Sequence, residues 1–539
     1  MTIFKLVKRM CARDDGNVAI MVAAGMVPLA IASLGAVDLT RAYATRVELQ
    51  DALDAAALAA GRSSTSSEAT LQTLGERILG QNLAGDRDFE LASSSFKFGP
   101  KGEVVASATA TYAPMLALGG DGTRDVTVST EVKRANSMLE IALVLDNTGS
   151  MSEQIGSGKD RKEKIVYLKS AATSFIDSMS SAASQSSAAN SIKIALVPFS
   201  NLVNVGSTYK TATWIDKDGK APINNGIFTT KQGVATTAQV KRLDLFTAVG
   251  TSWGGCVEMR QAPYDIQDTA PDSLHPETLF TPFFAPDEKD AVKDKKGNWA
   301  SNDYVTDPTK NDSGVNIPND SNKDWTKQGS VKKYTTSNRN SRTISTSLGP
   351  NATCDQQPIQ RLSTNFSSLK SAVNGMGTGG NTNIPMGLIW GWHAVSPNAP
   401  FGDGVAYLTP KYKKVVVLMT DGENTMAENT NTINGSVSSA AGYMWQGRIL
   451  DKNGSPEKDV DDATAAMNDR LKKLCVNMKA ADKDIVVYVV GVGVTGDNRD
   501  MLKACASAPD YYFDATDGAQ LTGAFQTIAN QISALHLSK

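Results

Sequence analysis

The spacing of hydrophobic and polar residues changes along the chain, and each spacing predicts a different structure. Residues 18–37, VAIMVAAGMVPLAIASLGAV, contain no charged side chain. A helix of this length extends about 30 Å, the thickness of the hydrocarbon core of a membrane. Beyond it, apolar residues recur at steps of four until Gly61. We therefore expect a membrane helix through Val18–Val37 that continues as a long, half-exposed helix.

The next region, from Phe89 to Lys133, alternates apolar and polar residues in three runs separated by GPKG and GGDG. Period-two alternation with glycine-rich turns predicts a small antiparallel sheet, and a short helix at about 68–82 precedes it.

From Ser137 onward, short apolar runs alternate with helical patterns. The runs MLEIALVLD, SIKIALVPFS, KKVVVLMTD and DIVVYVVGVG are typical of strands buried on both faces of a parallel sheet. We predict an α/β fold class with a doubly wound, mostly parallel sheet over 137–539, after an anchor at 1–61 and a small α+β segment at 62–136. The stretch 202–365 lacks periodicity and is too long for a plain loop, so we expect an insertion with irregular structure of its own.

Charges beside the apolar span predict its orientation. Arg41 and Arg46 follow the span among acidic residues, whereas four basic residues precede it: Lys5, Lys8, Arg9 and Arg13. Basic flanks remain in the cytoplasm. We expect a single-pass membrane protein with most of its 539 residues outside. A buried soluble helix is one alternative, although such helices rarely exclude charge for so long. A cleaved signal peptide is the other, although its apolar core is usually only about 7–15 residues long.

The stretch DDGNVAIMVAAGMVPLAIASLGAVDLTRAYATRVELQDALDAAALAAGR resembles the N-terminal module of the TadE/TadG-like Flp pilus-assembly proteins. The order of features agrees: Gly-Asn-Val-Ala before the span, an Asp just after it, then an alanine-rich helix. The resemblance implies a pilus-biogenesis component in a Gram-negative inner membrane. Met21 stands where a type IV prepilin carries Glu, which argues against processing as a pilin subunit.

Oxygen-bearing side chains follow the ends of predicted strands. Asp146, Thr148 and Ser150 lie in DNTGS after one strand, Asp421 follows another, and Thr382 lies in the glycine-rich loop GTGGNTN. In an open α/β sheet, ligands bind beyond the carboxyl ends of the strands. Such hard ligands suit Mg²⁺, Mn²⁺ or Ca²⁺ better than zinc. Each residue of DNTGS could alternatively be a helix cap or turn residue.

Together with MTDGENT, this pattern resembles the von Willebrand factor A domain. That family's metal-ion-dependent adhesion site consists of Asp-x-Ser-x-Ser, a distant Thr and a later Asp in Thr-Asp-Gly. Carried over, the resemblance implies a divalent cation, Mg²⁺ first, on Asp146, Thr148, Ser150, Thr382 and Asp421. It also implies an open metal position for a carboxylate of a partner protein. Thr148 replaces the family's Ser but keeps the hydroxyl.

Two other functions remain as alternatives. A serine hydrolase using Ser150 needs a base, and the chain has three histidines, His275, His393 and His536, of which His393 is expected to pack in a helix. A chaperone-like domain acting with an ATPase would work in the cytoplasm, against the predicted orientation. No Gly-Lys-Ser/Thr follows GMGTGG, which excludes a P-loop. The net charge of -2 gives no bias toward nucleic acid.

The cysteines bear on location. Cys11 precedes the span, which leaves four cysteines outside: Cys256, Cys354, Cys475 and Cys505. An even number in an oxidising compartment permits three pairings. We expect Cys475–Cys505 to tie the helices on either side of the last apolar strand and Cys256–Cys354 to staple the insertion. Free buried thiols are the alternative.

Overall fold

The computed structural model describes residues 17–537 except 64, 66, 86, 100–102, 116–121, 133–136, 159–160, 185, 187, 230–238, 290–300 and 318–323. Cys11 and the basic residues before the span lie outside the described residues. The chain divides into two units. The first comprises residues 1–136 with the short segments 184–189 and 534–539, and the second comprises residues 137–183 and 190–533.

The first unit combines two helices with a three-stranded sheet. Helix α1 spans Asn17–Gly61, and α2 spans Glu68–Asn82. Side-chain capping starts α2, because Ser67 accepts a hydrogen bond from the backbone of Thr70. The strands pair antiparallel in the order β1-β2-β3, with the bounds Phe89–Phe98, Val104–Tyr112 and Arg124–Val132.

Helix α1 has two parts with different surroundings. Between Met21 and Leu39 its large apolar side chains are exposed. Among the described residues, α1 is the one helix that is long and apolar enough to cross a membrane. From Leu49 to Ala60, buried side chains of α1 share a core with α2 and the sheet.

A six-stranded sheet forms the centre of the second unit. Its strands are β4 Met138–Asp146, β5 Ile192–Phe199, β6 Gln360–Ser363, β7 Tyr412–Thr420, β8 Ile485–Val492 and β9 Tyr512–Ala515. Their order is β6-β5-β4-β7-β8-β9, and every pair is parallel except β6 with β5. The predicted α/β class with a mostly parallel sheet is confirmed. The strand order reverses between β4 and β7, where doubly wound sheets bind ligands.

Helices cover both faces of this sheet because the strands are apolar on both sides. Ile141 and Leu143 of β4 face a core shared with α3, α6 and α10, whereas Ala142 and Val144 face α7, α8 and α9. The helices are α3 Lys164–Ser184, α4 Arg242–Ala248, α5 Asp324–Gly329, α6 Phe366–Asn374, α7 Ile384–Val395, α8 Val460–Met478, α9 Gly496–Cys505 and α10 Gly518–Leu537.

The predicted insertion belongs to the core of the second unit. Its longest described helix, α4, has 7 residues, in keeping with its aperiodic sequence. Even so, Trp214, Phe280 and Tyr304 are buried in the same core as α7. The rings of Phe280 and Trp390 lie 4.7 Å apart. The end of the insertion, Gln360–Ser363, supplies the antiparallel edge strand β6.

Two disulfides link segments of the second unit. Cys256–Cys354 joins residues 98 positions apart within the insertion. Cys475–Cys505 joins α8 to α9, the helices before and after β8.

Candidate metal centre

The site lies where the carboxyl ends of β4 and β7 meet. Leu145 of β4 pairs with Met419 of β7, so the next residues along each strand, Asp146 and Thr420, emerge side by side. Because both strands end here and run parallel, the turn after β4 and the loop after β7 converge at one edge of the sheet.

Asp146 is fully buried, and both of its carboxylate oxygens accept hydrogen bonds. The backbone N–H of Thr148 donates to Oδ1 at 2.9 Å, which closes the turn after β4. The hydroxyl of Thr420 donates to Oδ2 at 2.7 Å. These bonds fix the carboxylate at the end of the strand.

Hydroxyl groups connect this turn to Asp421. Ser150 Oγ donates to Asp421 Oδ1 at 2.8 Å, and Thr148 Oγ1 lies 3.0 Å from Ser150 Oγ. Asp146, Thr148, Ser150 and Asp421 therefore belong to one hydrogen-bonded group. The sequence places these residues at neighbouring strand ends, and the structure brings them together.

Thr382 reaches the same edge from the loop between α6 and α7. Its N–H donates to Thr425 Oγ1 at 2.9 Å, and its carbonyl accepts from the N–H of Thr425 at 2.9 Å. A methyl group on Gly422 would lie 3.7 Å from Thr382 Oγ1 and 3.9 Å from Ser150 Oγ. Both hydroxyls thus lie close to the glycine of Thr-Asp-Gly.

Lys164, the first residue of α3, is a member of the site that the sequence reasoning missed. Its Nζ donates to Asp421 Oδ2 at 2.7 Å and to Glu153 Oε2 at 2.8 Å. The Lys164 side chain is largely buried, whereas the Glu153 side chain is exposed. A cation in the first turn of a helix opposes the helix dipole. That mismatch, with no acidic residue in the first turn of α3, was the available sequence signal.

Burial and charge shift the ionisation of the group. Burial, together with the nearby charge of Asp421, raises the pKa of Asp146 to about 7. Burial lowers the pKa of Lys164, but its hydrogen bonds to Asp421 and Glu153 outweigh this, and the resulting pKa is above its usual range. Two carboxylates in a buried site make it favourable for positive charge.

The donor set fits a hard divalent cation. The five residues offer carboxylate and hydroxyl oxygens, which Mg²⁺, Mn²⁺ and Ca²⁺ prefer. A further buried oxygen, Asn147 Oδ1, has no hydrogen-bond partner among the described residues. Within the described part of the chain, no group of three or more His, Cys, Asp or Glu side chains is placed to hold a metal. A cation here would depend on hydroxyl oxygens as well as the two carboxylates.

The described histidines serve other parts of the domain. His393 is buried near the end of α7, with Nδ1 3.3 Å from Asp268 and Nε2 3.4 Å from Arg260. It lies about 14 Å along α7 from Ile384, the helix start that follows Thr382. His275 lies 3.5 Å from Glu277 in the insertion. The side chain of His536 is outside the described residues.

Residues 16–63 match the model of the Tad family, described as Flp pilus-assembly TadE/G-like. The N-terminal region is TadE/G-like. The matched residues contain the whole of α1, including the apolar span, and make up less than a tenth of the chain. The family match does not extend to the second unit with its mostly parallel six-stranded sheet. No curated protein matches the chain.

Solved structures of low similarity include proteins of pili and of the mussel byssus. The pilus adhesin SpaC from Lactobacillus rhamnosus GG is 13% identical with a TM-score of 0.31, over 83% of this chain and 35% of SpaC, so the chain spans about a third of that protein. The von Willebrand factor domain of the type V pili tip protein Mfa5 from Porphyromonas gingivalis is 10% identical with a TM-score of 0.31, over 74% of this chain and 95% of that domain. Proximal thread matrix protein 1 from the mussel byssus, with a zinc-occupied MIDAS motif, is 11% identical with a TM-score of 0.27, over 74% of this chain and 47% of that protein.

Proposed function

We propose that the chain is a membrane-anchored, metal-dependent protein-binding component of a Tad-type pilus-biogenesis system. The TadE/G-like region supplies the association with pilus assembly and the anchor. In this proposal residues 1–61 hold the protein in the inner membrane, residues 62–136 form a linking segment, and residues 137–539 bind the partner. The binding domain faces the periplasm or the cell surface.

One observation carries the proposal of metal-dependent binding. Thr148, Ser150 and Asp421 are connected through their side-chain oxygens, Asp146 joins them through the backbone N–H of Thr148, and Thr382 Oγ1 lies near Gly422 beside Ser150. These five residues would hold Mg²⁺, with Mn²⁺ or Ca²⁺ as alternatives. When bound, the cation supplies a Lewis acid that attracts a carboxylate of the partner protein. The chain's own part is to fix its oxygens at a rigid sheet edge.

The disulfides favour this function over the chaperone-like alternative. Both bridges lie in the second unit, and such bonds persist in oxidising compartments rather than in the cytoplasm. The hydrolase alternative lacks support from the described histidines. His393 contacts Asp268 and Arg260 at the far end of α7, and His275 belongs to the insertion. We therefore propose a binding protein and no enzymatic activity.

The test is metal-dependent melting of the full-length protein in detergent micelles. We expect Mg²⁺ or Mn²⁺ to raise the Tm relative to EDTA, because an ion that binds only the folded state stabilises it. Asp146→Asn keeps the side-chain shape but removes the charge, and it should abolish the metal-dependent shift. Asp177→Asn, an exposed site on α3, is the matched control and should retain it. Equal melting curves with and without metal would remove the proposed function.

A further inference from the structure

The ion pair between Lys164 and Asp421 has no role in the proposed function as stated. Lys164 is 257 residues from Asp421 in sequence, yet its ammonium contacts a carboxylate of the candidate metal site directly. Asp421 Oδ1 accepts from Ser150 and Oδ2 accepts from Lys164, so both of its oxygens are occupied. Positive charge is thus supplied to this carboxylate by the chain itself.

Placing a lysine here is costly for folding. The Lys164 side chain is largely buried, and it lies at the positive end of the dipole of α3. Other helices of the same unit begin differently: Asn383 caps α7, and Asp459 caps α8 with two more acidic residues in its first turn. The position of Lys164 is therefore explained by its partners rather than by the helix.

Glu153 gives Lys164 a second partner outside the buried part of the site. The Lys164 Nζ already lies 2.8 Å from Glu153 Oε2, and the Glu153 side chain is 67% exposed. The backbone N–H of Lys164 also donates to the carbonyl of Glu153 at 2.9 Å, which holds the two residues together. If the Lys164 ammonium left Asp421, it would keep its ion pair with the exposed side chain of Glu153.

We propose that Lys164 is a built-in competitor of the metal ion, which neutralises Asp421 until a divalent cation replaces it and the ammonium moves to Glu153. This inference rests on the proposed metal site and adds a residue that sets its affinity. Charge count tunes the affinity of oxygen sites for divalent cations, so a site with a competing ammonium binds more weakly. Metal occupancy is then coupled to the start of α3.

The experiment is a Mn²⁺ titration of the full-length protein, followed by the EPR signal of free Mn²⁺. Lys164→Gln should bind Mn²⁺ about tenfold or more tightly than the wild type, because a buried charge-assisted contact no longer opposes binding. Lys162→Gln removes the same charge from an exposed side chain two residues away, and it should leave the Kd within about twofold. Lys164→Arg keeps the charge and should resemble the wild type more than Lys164→Gln does.

A second pair of variants tests the alternative partner. Glu153→Gln should weaken Mn²⁺ binding more than Glu163→Gln, an equal charge change at an exposed neighbour. Melting temperatures in EDTA verify that each variant is folded. If wild type and Lys164→Gln bind Mn²⁺ equally, Lys164 is only structural and the inference is overturned while the metal site stands. If neither binds Mn²⁺, the proposed function fails and the inference fails with it.

Discussion

Ser150 donates a hydrogen bond of 2.8 Å to Asp421, although 271 positions separate the two residues in the sequence. The contact joins the turn after β4 to the loop after β7. A turn residue or helix cap would bond to its own segment, whereas this hydroxyl bonds to a distant strand end. The relationship favours a shared site over a purely local role for the DNTGS turn.

The hydroxyl of Thr148 should contribute more to metal binding than its methyl group does. Thr148→Ser removes the methyl group but keeps the hydroxyl, and we expect it to keep the Mg²⁺-dependent rise in Tm. Thr148→Val keeps the shape of the buried side chain but removes the oxygen beside Ser150. We expect it to weaken metal binding about 10–100-fold. Mn²⁺ titration of both variants checks this, and equal affinities would exclude Thr148 as a ligand.

The cysteine outside the two disulfides can report the orientation of the chain. Four of the five cysteines form the two disulfides, which leaves Cys11. In spheroplasts, we expect a membrane-permeant maleimide to label the protein and an impermeant maleimide to label it only after lysis, because basic flanks keep the N-terminus inside. Cys11→Ser should abolish both signals. Labelling of intact spheroplasts by the impermeant reagent would reverse the proposed topology.

Alanine substitutions at two helix glycines should change the free energy of unfolding in opposite directions. At Gly387 in α7, a methyl group would lie 2.4 Å from the ring of the buried Phe199, so Gly387→Ala should lower the free energy of unfolding by about 1–3 kcal/mol. At Gly523 in α10, a methyl group meets nothing within 4 Å, and Gly523→Ala should raise it by about 0.5–1 kcal/mol. Urea denaturation compares them. A stable Gly387→Ala variant would show that α7 does not pack this closely on β5.

His393 should make the domain less stable in acid. Burial lowers its pKa below 6.5, although its contact with Asp268 acts in the other direction. The unfolded chain therefore binds more protons below pH 6.5, and the stabilisation is lost as the pH falls through that range, by at most about 1.4 kcal/mol per pH unit. The pKa values of Asp146 and Asp287 are raised to about 7, so acidification through that range increases the contribution of these two groups to the stability of the folded chain.

The measurement is therefore a difference between variants. The Tm of the wild type and of His393→Gln is compared at pH 7, 6 and 5 in EDTA. The wild type should lose more stability on acidification than His393→Gln does. His275→Gln changes a side chain that is 68% exposed, and it should follow the wild type. If the Tm of all three proteins fell equally with pH, His393 would not be the cause of the acid sensitivity.

Periodicity was sufficient to predict the main elements. Continuous apolar runs gave β4, β5, β7 and β8, since strands buried on both faces need no polar positions. The short edge strand β6, with the sequence QRLS, lacks that pattern because none of its four residues is fully buried. Burial of the insertion also escaped prediction, since Trp214 and Phe280 enter the core from irregular backbone whose residues follow no period.

The candidate site was predictable as far as its oxygen-bearing side chains can be recognised one residue at a time. Asp146 and Asp421 each follow a strand, and the topology of a parallel sheet brings such ends together. Lys164 was not predictable in the same way, because its role depends on a contact across 257 residues. A lysine in an amphipathic helix ordinarily belongs to a solvated face, and only the fold shows which lysine is buried.

The pairing of β4 with β7 also determines when the protein can complete its fold during synthesis. Asp146 and Thr420 are 274 residues apart. At about 5–20 residues per second, the ribosome needs roughly 15–55 s to make the intervening chain. Throughout that interval β4 lacks one neighbour, and an unpaired apolar strand edge invites aggregation. The yield of this domain should therefore depend on the factors that keep the chain soluble until β7 has been synthesised.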